Sequence, residues 1–123
     1  MTIQKVINKV QEENPNSFQT EKLIEFINEI ETEVAHELEE NFTPYTDVKD
    51  EDDNDIVLMA PDPYSRLYVS YLKAMIDYVN REYTSYQLNA EQHGQDFSDF
   101  RNWIVRENVA VNHIVPSRFR NIW

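Results

Sequence analysis

The chain has no cysteine, and its 123 residues include one glycine. The first absence removes disulfides, thiolate nucleophiles and cysteine metal sites, and agrees with a reducing cytoplasm. The second argues for helices, because tight hairpins and barrels consume glycine. Positive charge is also scarce: 11 basic residues face 23 acidic ones, for a net charge of -12. Phosphate neutralisation supplies most non-specific nucleic-acid affinity, so a chain of this charge is repelled by DNA. No apolar run approaches membrane-spanning length, and residues 1–4 open directly into an amphipathic pattern with no signal peptide to read. A single glycine leaves no Gly-rich phosphate loop, and no serine stands in a nucleophile-elbow context. The expectation is one soluble, non-enzymatic domain with no cofactor, no metal and no membrane partner.

What is present is helical periodicity. Ile3, Val6, Ile7 and Val10 recur at helical spacing over residues 2–13, with Thr2 as the cap. Asn14-Pro15-Asn16-Ser17 breaks that pattern. A second helix starts near Gln19 or Thr20 and buries Leu23, Phe26, Ile27, Ile30, Val34 and Leu38. Its other side carries Glu21, Glu25, Glu29, Glu33 and Glu37 four residues apart, where like charges oppose the helix and packing must hold it. Residues 41–61 form the long connection. Asp47 and the run Asp50, Glu51, Asp52, Asp53 and Asp55 cannot build a core and read as a mobile, solvated loop. Ile56-Val57-Leu58-Met59 is a brief apolar run, suited to a short strand or to packing flat on the helices.

Ala60-Pro61-Asp62-Pro63-Tyr64 then opens the most informative stretch. Asp62 is a good N-cap and Pro63 suits the first helical position, which predicts a long helix running towards Gly94 as its C-terminal cap. Its apolar residues cover two adjacent faces. Tyr64, Leu67, Tyr71, Met75 and Tyr78 line one; Tyr68, Leu72, Ile76, Val79 and Tyr83 line the other. So wide an arc needs two surfaces to bury against, and in a short chain the second is expected to be a neighbouring subunit. A further helix over 96–106 buries Phe97, Phe100, Trp103 and Ile104. The remaining tail has no acid after Glu107 but carries Arg118, Phe119, Arg120 and Trp123. Arg and Trp anchor interfaces, and a basic aromatic arm complements an acidic body. The expected core includes Phe26, Ile27, Ile30, Leu67, Tyr71, Phe100 and Trp103. The expected interface is Tyr68, Tyr83, Arg118, Phe119, Arg120 and Trp123.

Three metal-like patterns fail on inspection. Asp50, Asp52 and Asn54 match the first positions of a calcium loop, but Asp55 replaces its glycine and Pro61 its terminal glutamate. His36-Glu37-Leu38-Glu39-Glu40 lacks the second histidine of a zinc-protease helix. Glu33-Val34-Ala35-His36 has the spacing of half a di-iron site, with no second half in the chain.

The residues carry a resemblance. Asn14-Pro15-Asn16-Ser17-Phe18 with Ile24-Glu25-Phe26-Ile27-Asn28-Glu29-Ile30-Glu31 resembles the first half of the helical head–tail connector proteins of tailed phages and prophages of Gram-positive bacteria. Residues 60–68, Tyr71-Leu72, Ala74, Ile76-Asp77 and Asn80-Arg81-Glu82 resemble the second half, and Phe97, Phe100, Trp103 and Arg106 continue it. Phe26 stands where Trp is expected, Ser65 where Asp is expected, and the tail beyond Arg106 is longer than the family pattern. The resemblance implies a virion protein at the head–tail junction. It implies a ring of identical subunits under the portal protein, a platform for the next neck or tail protein, and a channel through which DNA passes unbound. The acidic residues 47–55 would then line that lumen or order on a partner.

The expected fold is all-α: a small antiparallel bundle of about four helices with a long central helix, an acidic loop and an extended C-terminal arm. The helical domain is assigned to 1–107 and the arm to 108–123. The alternative is a small acidic phage-encoded module whose loop mimics DNA and binds a basic host protein. A carboxylate-metal enzyme would instead hold iron or manganese.

Overall fold

A computed structural model describes the backbone of residues 1–112 and the side chains of residues 1–107. The described residues form four helices: α1 (Ile3–Glu13), α2 (Thr20–Leu38), α3 (Arg66–Val79) and α4 (Tyr83–Asn112). The fold is an all-α bundle, and the described residues contain only isolated β-bridges besides. Helix α1 begins where Thr2 Oγ1 accepts from the Lys5 N–H at 3.1 Å, and it buries Ile3, Val6, Ile7 and Val10, the four residues its periodicity selects. Helix α2 buries Leu23, Phe26, Ile27, Ile30 and Val34 and closes on Glu39 in the left-handed region, φ 57°. Leu38 is half-buried at its end.

The expected long helix is two helices. The chain turns back at Asn80, Arg81 and Glu82, not at Gly94. Asn80 caps α3 with its N–H on the Ile76 carbonyl, Arg81 adopts φ 61°, and the Glu82 N–H returns to the Asp77 carbonyl at 2.9 Å. Helix α4 then runs straight through Gly94, where a Cβ would meet nothing within 4 Å. The start is also later than expected. Residues 62–65 make tight i→i+3 bonds, Leu67 N–H to Tyr64 O at 3.2 Å and Tyr68 N–H to Ser65 O at 3.1 Å, and regular helix begins at Arg66. Asp62 therefore does not cap the helix backbone. Its carboxylate accepts from the Ser65 hydroxyl, which holds it below the usual carboxylate range.

This turn answers the wide apolar arc. Helices α3 and α4 form an antiparallel hairpin and pack on one another more extensively than any other pair, while α1 and α2 cover the rest of α3. Both predicted faces of α3 are thus covered largely within one chain. Leu67, Tyr68, Leu72 and Ile76 are fully buried, with Tyr71 and Met75 half-buried against the core, and no neighbouring subunit is needed over most of the rod. Phe97, Phe100 and Ile104 on α4 complete the core, with Trp103 half-buried and stacked on Tyr64 at 5.4 Å. Helix α4 also continues past the expected boundary at 107/108.

Candidate interaction surfaces

The connection between α2 and α3 is a strap pinned to the bundle by buried polar groups. Asn28 clamps the backbone of Tyr45 twice, donating to its carbonyl at 3.0 Å and accepting from its N–H at 2.8 Å. Three residues on, Glu31 is fully buried. Its Oε2 accepts from the Tyr45 hydroxyl at 2.6 Å and the Met59 N–H at 2.9 Å; its Oε1 accepts from the Tyr68 hydroxyl at 2.5 Å. The Tyr68 hydroxyl accepts in turn from the Ala60 N–H at 2.9 Å. All of these donors are neutral, so the carboxylate is solvated by two phenols and one peptide. Burial, with Glu31 beside them, pushes both phenols far above the ordinary tyrosine range, so they remain donors. Each end of the strap therefore meets the same side chain.

Tyr68 is consequently a core residue. It was expected at a subunit interface, but its ring is fully buried and its hydroxyl is committed to Glu31. Tyr83 is exposed and joins Tyr78 and Tyr86 in an aromatic cluster where α3 turns into α4. Arg118, Phe119, Arg120 and Trp123 lie outside the described residues.

The acidic residues 47–55 form a structured hairpin, not a loose loop. Lys49 and Asp55 make an antiparallel bridge, the Ile56 N–H reaches the Val48 carbonyl at 3.0 Å, and the Asp50 carboxylate accepts from the N–H groups of Asp52 and Asn54, both at 2.9 Å. Asp53 takes φ 62° at the turn. An aspartate that caps its own turn holds the hairpin while its six acids stay exposed. Among the described residues no cluster of His, Asp and Glu could hold a metal ion. The run 56–59 lies extended beside the chain start: Thr2 and Val57 form a bridge and the Ile3 N–H reaches the Ile56 carbonyl at 3.0 Å.

The basic side chains are largely answered internally. Lys9, Arg66 and Lys73 line a cleft of about 260 Å³ between α1, α3 and α4, together with Glu13 and Asp96. Lys73 pairs with Glu13 at 3.2 Å and Arg66 with Asp99 at 3.2 Å. Asp96, itself buried, accepts from Ser70 and Gln92, both at 2.9 Å. Three rungs of the α2 glutamate ladder are relieved as well: Glu25 pairs with Lys22 at 3.3 Å, Glu37 pairs with Arg101 at 3.2 Å, and Glu29 accepts from the Tyr71 hydroxyl at 2.8 Å. Such cations are poor phosphate traps, because binding DNA would first break these pairs.

A buried aspartate and a half-buried histidine fix the hairpin of α3 and α4. Asp77 accepts from Asn14 at 3.1 Å and Asn89 at 2.7 Å, joining three helices. His93 Nδ1 lies 3.0 Å from the Leu67 carbonyl, between Tyr71 and Phe97. Burial pulls its pKa below the usual histidine value, against the smaller opposing effects of the Leu67 bond, Glu33 and Asp96. Sequence reading missed Glu31, Asn28, Asp77 and His93 as structural centres. The one available signal was that Glu31 lies off the exposed glutamate ladder, beside Ile30 on the apolar side. No helix is long and apolar enough to cross a membrane among the described residues. No family model, curated protein or solved structure matches the chain.

Proposed function

We propose that the chain is a non-enzymatic head–tail connector of a tailed phage. In this reading it forms a homo-oligomeric ring beneath the portal protein, lets DNA pass and seats the next neck protein. The observation that carries the reading is where the connector-like residues meet. The two resembling segments, 24–31 and 60–68, are joined in the core by one chain of hydrogen bonds, from the Ala60 N–H through the Tyr68 hydroxyl to Glu31. Part of the likeness thus falls on the unit that fixes the strap to the bundle. The charge supports it too. An acidic exterior most of whose described cations stand in intramolecular ion pairs suits a wall along which DNA slides.

The test is native mass spectrometry of the full chain with and without a portal protein from the same genome. The expected result is a complex carrying several copies per portal ring. A chain that ignores the portal overturns the reading. The ordered acidic hairpin favours a second reading, a module that binds a basic protein in place of DNA. That reading predicts a one-to-one complex with a basic host protein and no affinity for a portal.

A further inference from the structure

The turn between α3 and α4 presents the exposed apolar patch that the bundle leaves over. Tyr78 is 54%, Val79 47% and Tyr83 56% exposed, and the Tyr78 ring centre lies 6.3 Å from Tyr83 and 5.3 Å from Tyr86. Such a patch, aromatic and rimmed by polar residues, is the type that interfaces use. Among the described residues nothing covers it. The sequence holds one further segment of complementary character, residues 113–123, with Phe119, Ile122 and Trp123 beside Arg118 and Arg120.

Chain length limits how far that segment can reach along its own hairpin. Trp103 and Arg106 sit at Tyr64, the start of the hairpin, whereas Tyr83 and Tyr86 sit at Tyr78, its far end. From Asn112 back to Tyr83 the helix spans roughly 44 Å at 1.5 Å per residue. Phe119, seven residues beyond Asn112, reaches at most about 25 Å, and Trp123, eleven beyond, about 40 Å even when fully extended. At full extension Trp123 reaches only the near edge of its own hairpin's patch, at Tyr86, and Phe119 does not reach it. The two rings therefore cannot both seat there, whereas both can arrive at the patch of another molecule.

We propose that the Tyr78–Val79–Tyr83 tip is the docking site for residues 113–123 of a second copy, with Phe119 and Trp123 seated against its aromatic rings. Charge favours the same occupant. The segment has two arginines and no acid, whereas residues 1–112 set the other nine basic side chains against all 23 acids. Each copy then offers one tip and one tail, a heterologous contact that closes into a ring if its rotation allows. The inference rests on the oligomeric part of the proposed function and extends it by naming the two surfaces that meet.

The experiment is sedimentation velocity on the full-length chain, alone and mixed. Wild type should associate with rising concentration. Tyr78→Ser/Val79→Ser and Phe119→Ser/Trp123→Ser should each weaken association by roughly tenfold or more, as losing anchor side chains does. The altered tip residues are exposed, so helical circular dichroism should be unchanged in the tip variant. The decisive sample is the mixture. One variant keeps its tail and the other its tip, so together they should form a one-to-one pair that grows no further. Wild type that stays monomeric at millimolar concentration, a tip variant that associates normally, or a mixture that stays monomeric would overturn the proposal. Portal loading of the wild type is measured separately. Wild type that loads on the portal but does not self-associate sinks this contact alone, and wild type that self-associates through these surfaces but does not load sinks the connector reading alone.

Discussion

Tyr68 and Tyr83 sit on neighbouring helices of one hairpin, and their surroundings could hardly differ more. The Tyr68 ring fills the core and its hydroxyl bridges Glu31 and the Ala60 N–H; the Tyr83 ring stands in solvent beside Tyr78. Both belong to one apolar stripe in the sequence. The difference teaches that a stripe's outward reach depends on where the chain turns. Residues of that stripe before the turn at 80–82 pack inside the bundle, Tyr68 against Glu31 of α2, while those at the turn, Val79 and Tyr83, are left uncovered. At Tyr68 the hydroxyl adds specificity to burial, while at Tyr83 the whole ring remains available to a partner.

Substitutions at the two places should separate these roles. Glu31→Ala removes the acceptor for two phenols and a peptide N–H, each then left without its partner; it should cost about 3 kcal/mol or more in urea unfolding. A smaller loss would mean that the strap does not depend on this carboxylate. Tyr68→Phe keeps the ring but strands the Ala60 N–H, for about 1–3 kcal/mol in the same measurement. By contrast, Tyr83→Phe should change monomer stability by less than about 0.5 kcal/mol. Equal effects at Tyr68 and Tyr83 would erase the comparison.

Gly94→Ala tests the placement of the turn from the other direction. If Gly94 is an exposed position inside α4, alanine should raise stability by about 0.5–1 kcal/mol. Were it a left-handed cap, the substitution would destabilise. The smallest effect concerns pH. The folded protein holds His93 below the ordinary value near 6.5, so the unfolded chain binds that proton more readily. Stability should therefore fall as pH drops from 7.5 towards and through 6.5, and level off only below the folded pKa. His93→Gln should flatten that slope; an unchanged slope in His93→Gln would rule the mechanism out.

Much of the fold is legible from residues. The apolar spacing of α1 and α2 names their buried faces, and Phe97, Phe100 and Ile104 identify the buried side of α4. The turn at 80–82 is not legible by the same means. It contains neither glycine nor proline, and its left-handed residue is an arginine, held there by the Glu82 bond to Asp77 and by two helices packing together. Gly94 draws attention that its structure does not justify. The order of the acidic hairpin is missed for a related reason: composition registers the charge of Asp50, but not that its carboxylate caps two peptide groups nearby. Expected interface residues beyond Asn112 lie outside the described residues, and Tyr68 moves from surface to core.

By itself, the sequence determined the helical class, the buried faces of the helices and the one-signed surface, because periodicity and charge are local properties that survive any arrangement of the elements. Only the tertiary structure decided which apolar residues are left uncovered, and that a single glutamate receives both ends of the strap. Those outcomes depend on partners up to 37 positions apart along the chain, which no local pattern records.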